Sequence, residues 1–145
     1  MWNYEFSAEA EVTPHAVWTL WADPLGWHTW NEGAGKVEMD GPFAAGTRFT
    51  MTPPGQDPIR MTITEVVPDQ AWVDVCELPE LVITTHHLIE EIGLIGEAGD
   101  SRTKVVYRTE ITGEAADEVG PELGPQICAD FPEVVGKLLE LAARA

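Results

Sequence analysis

The chain has 145 residues, 44% of them hydrophobic, which is enough to bury one core and leaves little for a second, so a single domain over residues 1–145 is expected. With 25 acidic residues against 8 basic ones the formal charge is −17, which argues against nucleic-acid phosphates or anionic lipid headgroups as partners. No apolar run reaches the about 18 residues a membrane span needs, and the N-terminal Met-Trp-Asn-Tyr-Glu-Phe has neither the basic nor the apolar region of a secretory signal, so a cytoplasmic protein without membrane insertion is expected.

From Trp2 to Val12 the sequence alternates, with Tyr4, Phe6, Ala8, Ala10 and Val12 on one face and Glu5, Ser7, Glu9 and Glu11 on the other, as a strand with one wet face does. Two short helices are predicted next. Thr13 and Asp23 are each an N-cap residue followed by a proline, whose fixed φ and missing N–H suit the first helical position. Trp18/Trp21 and Trp27/Trp30 are spaced i, i+3, so each pair presents one aromatic face to something larger, as a lid or plug would.

Turn-rich segments then separate alternating runs at Lys36 to Asp40, Thr47 to Thr52, Ile59 to Val67, Ala71 to Glu77, Leu81 to Glu91 and Thr103 to Thr112, giving seven strands in all. The connections at Gly41-Pro42, Pro53-Pro54-Gly55, Pro68-Asp69, Leu78-Pro79 and Gly96 to Asp100 are mostly short enough for an antiparallel meander. The period then changes. Leu123, Ile127, Phe131, Val134, Leu138 and Leu141 recur every three or four residues, the stripe of one long amphipathic helix. Pro125 and Pro132 make its early part irregular and place its regular part from about Pro132 onward.

One strand, two small helices, six strands and a long C-terminal helix make an α+β chain in the helix-grip arrangement. The residues Val17-Trp18 through Asp23-Pro24 to Trp27 and Trp30, then Gly41-Pro42-Phe43 with Gly46, His87-Leu88-Ile89-Glu90, and Thr103-Lys104-Val105 to Ile111-Thr112-Gly113, resemble the START-like or Bet v 1-like superfamily over nearly the whole chain. Within it they are similar to the polyketide cyclase/dehydrase and lipid-transport branch. The resemblance implies a curved seven-stranded antiparallel sheet wrapped around the long helix, with a cavity between them for a hydrophobic or aromatic small molecule.

On that fold the alternation assigns Phe49, Met51, Met61, Ile63, Ile83, His87 and Tyr107 to the inner face, opposite Phe131, Val135 and Leu138, with Trp27 and Trp30 at the mouth. Each of these suits a solid core as well as a pocket wall. His86 and His87 are consecutive on a strand and point to opposite faces, so they do not share a metal, and Ile83 and Ile89 have the parity that turns His87 inward. Parity leaves Asp74 open, with a solvated face as the plainer reading; turned inward, it would pair with His87. His87, Tyr107 and Asp74 together would be an acid–base set for aldol closure and dehydration.

Arg48, Arg60 and Arg108 are offset from apolar neighbours and point outward. Cys76 and Cys128 have no metal or redox spacing and read as buried free thiols. No phosphate loop, nucleophile elbow or zinc signature is present, so neither metal nor cofactor is expected. The preferred reading is a module that holds or carries a hydrophobic molecule. A cofactor-independent aromatase, cyclase or dehydratase in the same cavity is the alternative, and a surface-acting module similar to the Hsp90-activator branch ranks third.

Overall fold

A computed structural model describes residues 1–95 and 100–144. Strands β1 (Trp2–Ala10), β2 (Lys36–Met39), β3 (Arg48–Thr52), β4 (Ile59–Val67), β5 (Ala71–Leu78), β6 (Leu81–Ile95) and β7 (Asp100–Thr112) form one sheet in the order β1-β7-β6-β5-β4-β3-β2. Every pairing is antiparallel, so β2 to β7 run as a meander and β1 closes onto β7. Register shifts at Ile63/Glu65 and Glu91/Gly93 bend their strands and add twist, which curves the sheet. The turn expected at Gly96 to Asp100 lies, for residues 96–99, outside the described residues.

The first helix forms as expected: α1 spans Pro14–Trp21, and the Thr13 hydroxyl accepts from the Ala16 amide at 3.1 Å. The second is a 3₁₀ segment, Pro24–Thr29, and Asp23 caps it through its backbone carbonyl to Gly26 N at 3.0 Å rather than through its side chain. Six residues containing both a proline and a glycine favour the tighter i→i+3 bonds over a full α turn. A further short 3₁₀ turn, Glu32–Ala34, precedes β2. Gly35 follows it at φ 62, where a Cβ would collide with the carbonyl of Thr52.

Strand β1 stops at Ala10, two residues before the expected end, because Val12 N bonds back to Ala10 O at 3.0 Å and turns the chain. The C-terminal helical stretch is long but interrupted: α2 covers Ala116–Cys128 and α3 Phe131–Ala143, with the break at Ala129–Asp130. Pro132 sits in the first turn of α3, where its missing N–H costs nothing, while Pro121 and Pro125 lie inside α2 and each removes a backbone bond. Gly120 and Gly124 give α2 a flat side on which the Trp2 indole lies; a Cβ at Gly124 would collide with that ring.

The regular helix α3 turns Phe131, Val134, Val135, Leu138, Leu139 and Ala142 inward. It packs on β1 and on α1, whose Val17 and Trp21 are fully buried. Full burial of Val135, Leu138, Phe49, Ile63, Val105 and Ile111 defines the densest part of the core, each such side chain contributing on the order of 1.5–3 kcal/mol of transfer free energy. Arg60 and Arg108 face outward, pairing with Asp40 at 3.0 Å and Glu110 at 3.1 Å, and Arg48 is exposed. Cys76 and Cys128 are buried free thiols.

Candidate functional site

Register places three rows of side chains across the concave face. Trp72, His87 and Tyr107 pair in one row across β5, β6 and β7; Asp74, Thr85 and Thr109 form the next; Cys76, Ile83 and Ile111 the third. Between these rows and the helices lies a cavity of about 250 Å³. Met51, Ile59 and Met61 extend its sheet wall, Trp27, Trp30, Asn31, Gly33 and Ala34 form one side, and Ile127, Asp130, Phe131 and Val134 cover it from α2, the break and α3. Gly33 and Asp130 are exposed and mark the rim. Lys137 on α3 reaches Glu32 at 3.6 Å and so ties the short 3₁₀ turn to the helix beside it.

The aromatic row is tightly ordered. The His87 ring stacks on Trp72 with centroids 3.7 Å apart and planes within 2°, and Trp72 in turn stacks on Trp27 at 5.2 Å. His87 Nδ1 lies 3.1 Å from the Trp72 carbonyl oxygen. A carbonyl only accepts, so Nδ1 carries the proton, and Nε2 keeps a lone pair. Burial, opposed by that backbone bond and helped by His86, lowers the His87 pKa from 6.5 to about 3, so the ring is neutral across the physiological range. Tyr107 accepts from Trp21 Nε1 at 3.2 Å, and burial above all pushes its phenol well above the ordinary value, leaving the hydroxyl protonated and able to donate.

Asp74 points inward, not to solvent as the plainer sequence reading had it; it is 6% exposed. Burial raises its pKa from 3.8 to about 7. Its expected pairing with His87 does not form. The register sets Asp74 opposite Thr85, one row away from His87, whose proton is spent on the Trp72 carbonyl, and Asp74 Oδ1 has no hydrogen-bond partner. Trp30 Nε1, Trp72 Nε1 and Asn31 Oδ1 are likewise buried and unpartnered. A buried polar group left without a partner costs about 1–3 kcal/mol, and all four belong to residues that line the cavity.

Of the side chains the sequence assigned to the pocket, Trp27, Trp30, Met51, Met61, Ile83, His87, Tyr107 and Phe131 line the cavity. Phe49, Ile63, Val135 and Leu138 do not; they are fully buried in the packed core. Their parity and helical phase are right, but they sit where the sheet and helices close on each other. Trp27 and Trp30, each 3% exposed, form a wall rather than an outer flap. Sequence reasoning missed Trp72, Cys76 and Thr85, although the first two share the parity of Asp74 and follow inward once it does. Ile127 and Val134 lie on the apolar stripe of the C-terminal helices but were not singled out for the pocket, and Asn31 and Asp130 carried no periodic signal.

The sequence profile of the polyketide cyclase / dehydrase and lipid transport family matches residues 1–140. The chain belongs to this family. No curated protein sequence matches it, but solved structures share the family's fold. A protein of Thermobifida fusca superposes with a TM-score of 0.73 at 18% identity over 99% of this chain and 95% of its own. A protein of Mesorhizobium loti gives 0.71 at 16%, with 99% and 98% covered. Norcoclaurine synthase from Thalictrum flavum gives 0.66 at 16%, with 99% and 87% covered. The expected seven-stranded helix-grip fold is therefore the one present, in a family whose description spans catalysis and transport.

Proposed function

We propose that the protein binds an apolar or aromatic small molecule in the cavity between the sheet and α2–α3. The observation that carries this is the cavity itself, about 250 Å³ walled by Trp27, Trp30, Met51, Met61, Trp72, Ile83 and Phe131. Size narrows the ligand: a cavity of about 150 Å³ accommodates benzene, so this one suits a molecule of one or two rings and not a long acyl chain. The family's description, and its structural likeness to a synthase of small molecules, support the reading without naming a ligand.

A second reading, acid–base catalysis on the bound molecule, is favoured by one observation. Asp74 titrates at about 7, where a general acid or base works best near neutral pH, and Tyr107 is a protonated donor in the same cavity. In this reading His87 accepts a hydrogen bond through Nε2 and does not act as the base, since its pKa is far too low.

Titrating the protein with a naphthalene-based fluorescent probe tests the binding reading. Wild type should give saturable enhancement, and Met61→Trp, which fills the cavity from β4, should abolish it while leaving the circular dichroism spectrum unchanged. Equal enhancement in both proteins would place the probe elsewhere and overturn the assignment.

A further inference from the structure

The ionisable groups of the cavity are of one sign. Two carboxyl groups line it, Asp74 and Asp130, and no lysine or arginine does among the described residues. Its one histidine is held neutral by burial. Asp74 is more than nine-tenths buried, and its Oδ1 lacks a partner. None of the neighbouring polar groups is bonded to it: Thr85 Oγ1 is paired with Thr109 Oγ1 at 3.0 Å, His87 gives its only proton to the Trp72 carbonyl, and Tyr107 accepts from Trp21 Nε1. Aromatic side chains line the same cavity, Trp30, Tyr107 and Phe131 among them, and aromatic rings attract a cation as well as an apolar body.

We propose that the occupant is a cationic one: an aromatic or apolar molecule of one or two rings bearing a protonated amine, seated with its ammonium group at Asp74 and its rings against the aromatic wall of the cavity. This rests on the cavity-binding reading above and gives it a substrate class. An ammonium satisfies the orphaned oxygen as no wall residue does, and it offsets the desolvation of the carboxylate by a charge pair in a water-poor site. Asp130 at the rim and the chain's formal charge of −17 raise the local concentration of cations and repel anions before either enters.

Three probes of matched size separate the possibilities: 1-naphthylmethylamine, the neutral 1-naphthylmethanol and the anionic 1-naphthoate, each titrated calorimetrically at pH 7.5 into wild type and Asp74→Asn. The amine is expected to bind wild type at least tenfold more tightly than the alcohol, and the carboxylate more weakly than either. In Asp74→Asn the amine should lose that advantage while the alcohol's affinity stays within about threefold. Equal binding of amine and alcohol to wild type would overturn the inference and leave the cavity reading standing. An amine preference that survives Asp74→Asn would also overturn it, since the recognition group would then be another. Failure of all three probes to bind wild type would overturn both. The wild-type comparison decides by itself if the variant does not fold.

Discussion

Replacing Asp74 by Asn should change how stability depends on pH, and the sign follows from burial. The carboxyl titrates at 3.8 in its ordinary setting and at about 7 in the folded protein. A raised acid pKa means the folded state binds the proton more tightly than the unfolded chain does, so this group's favourable contribution is full below about pH 4 and is lost as pH rises through about 7. The gap corresponds to about 4 kcal/mol at about 1.4 kcal/mol per pH unit. Asparagine is nearly isosteric and always neutral. The variant should therefore match wild type within about 1 kcal/mol at pH 4 and exceed it by about 4 kcal/mol at pH 8. Urea denaturation at both pH values, with m checked for constancy, measures the difference, and every other titrating group cancels between the two proteins. A stability difference that stays constant from pH 4 to pH 8 would refute the argument, because Asp74 would then titrate alike in the folded and unfolded chains.

His87 acts in the opposite sense. Its folded pKa of about 3 lies below the ordinary 6.5, so stability is present above pH 6.5 and falls with acidification, by on the order of 5 kcal/mol toward pH 3; His87→Phe should remove that acid sensitivity in the same urea experiment. Tyr107→Phe deletes the acceptor of Trp21 Nε1 and strands a buried donor, so a loss of about 1–3 kcal/mol is expected, and no loss would mean that the indole finds another partner. Gly124→Ala should destabilise by about 1–3 kcal/mol in thermal unfolding despite the better helix propensity of alanine, because the new methyl displaces the Trp2 ring.

The alternation of β4 and β6 and the three-four stripe of the C-terminal helices were legible because each element buries one face more than the other, so periodicity reports burial directly; on β1 the alternation shows only as half-buried against exposed residues, with Tyr4 exposed. Strand β5 was harder to read for the same reason. Trp72, Asp74 and Cys76 are buried, but Val73 on the opposite face is buried too, so neither set looks like the wet one. The difference between cavity and core was not legible at all. Phe49 and Met51, or Val134 and Val135, are equally apolar, and which of them meets empty space depends on where α3 lies relative to the curved sheet. Helix type likewise escaped the sequence at Pro24–Thr29, where the capping signals fit α and 3₁₀ turns alike.

The six indole N–H signals of the protein report residue by residue on the cavity between the sheet and α2–α3. In ¹⁵N-labelled protein titrated with 1-naphthylmethanol, the Trp30 and Trp72 signals should move saturably, since both indoles border the cavity with unpartnered N–H groups, while that of Trp2, lying on α2 outside it, should stay fixed. Saturable movement of Trp2 with Trp30 and Trp72 unchanged, or no movement of any indole signal at millimolar probe, would contradict the account.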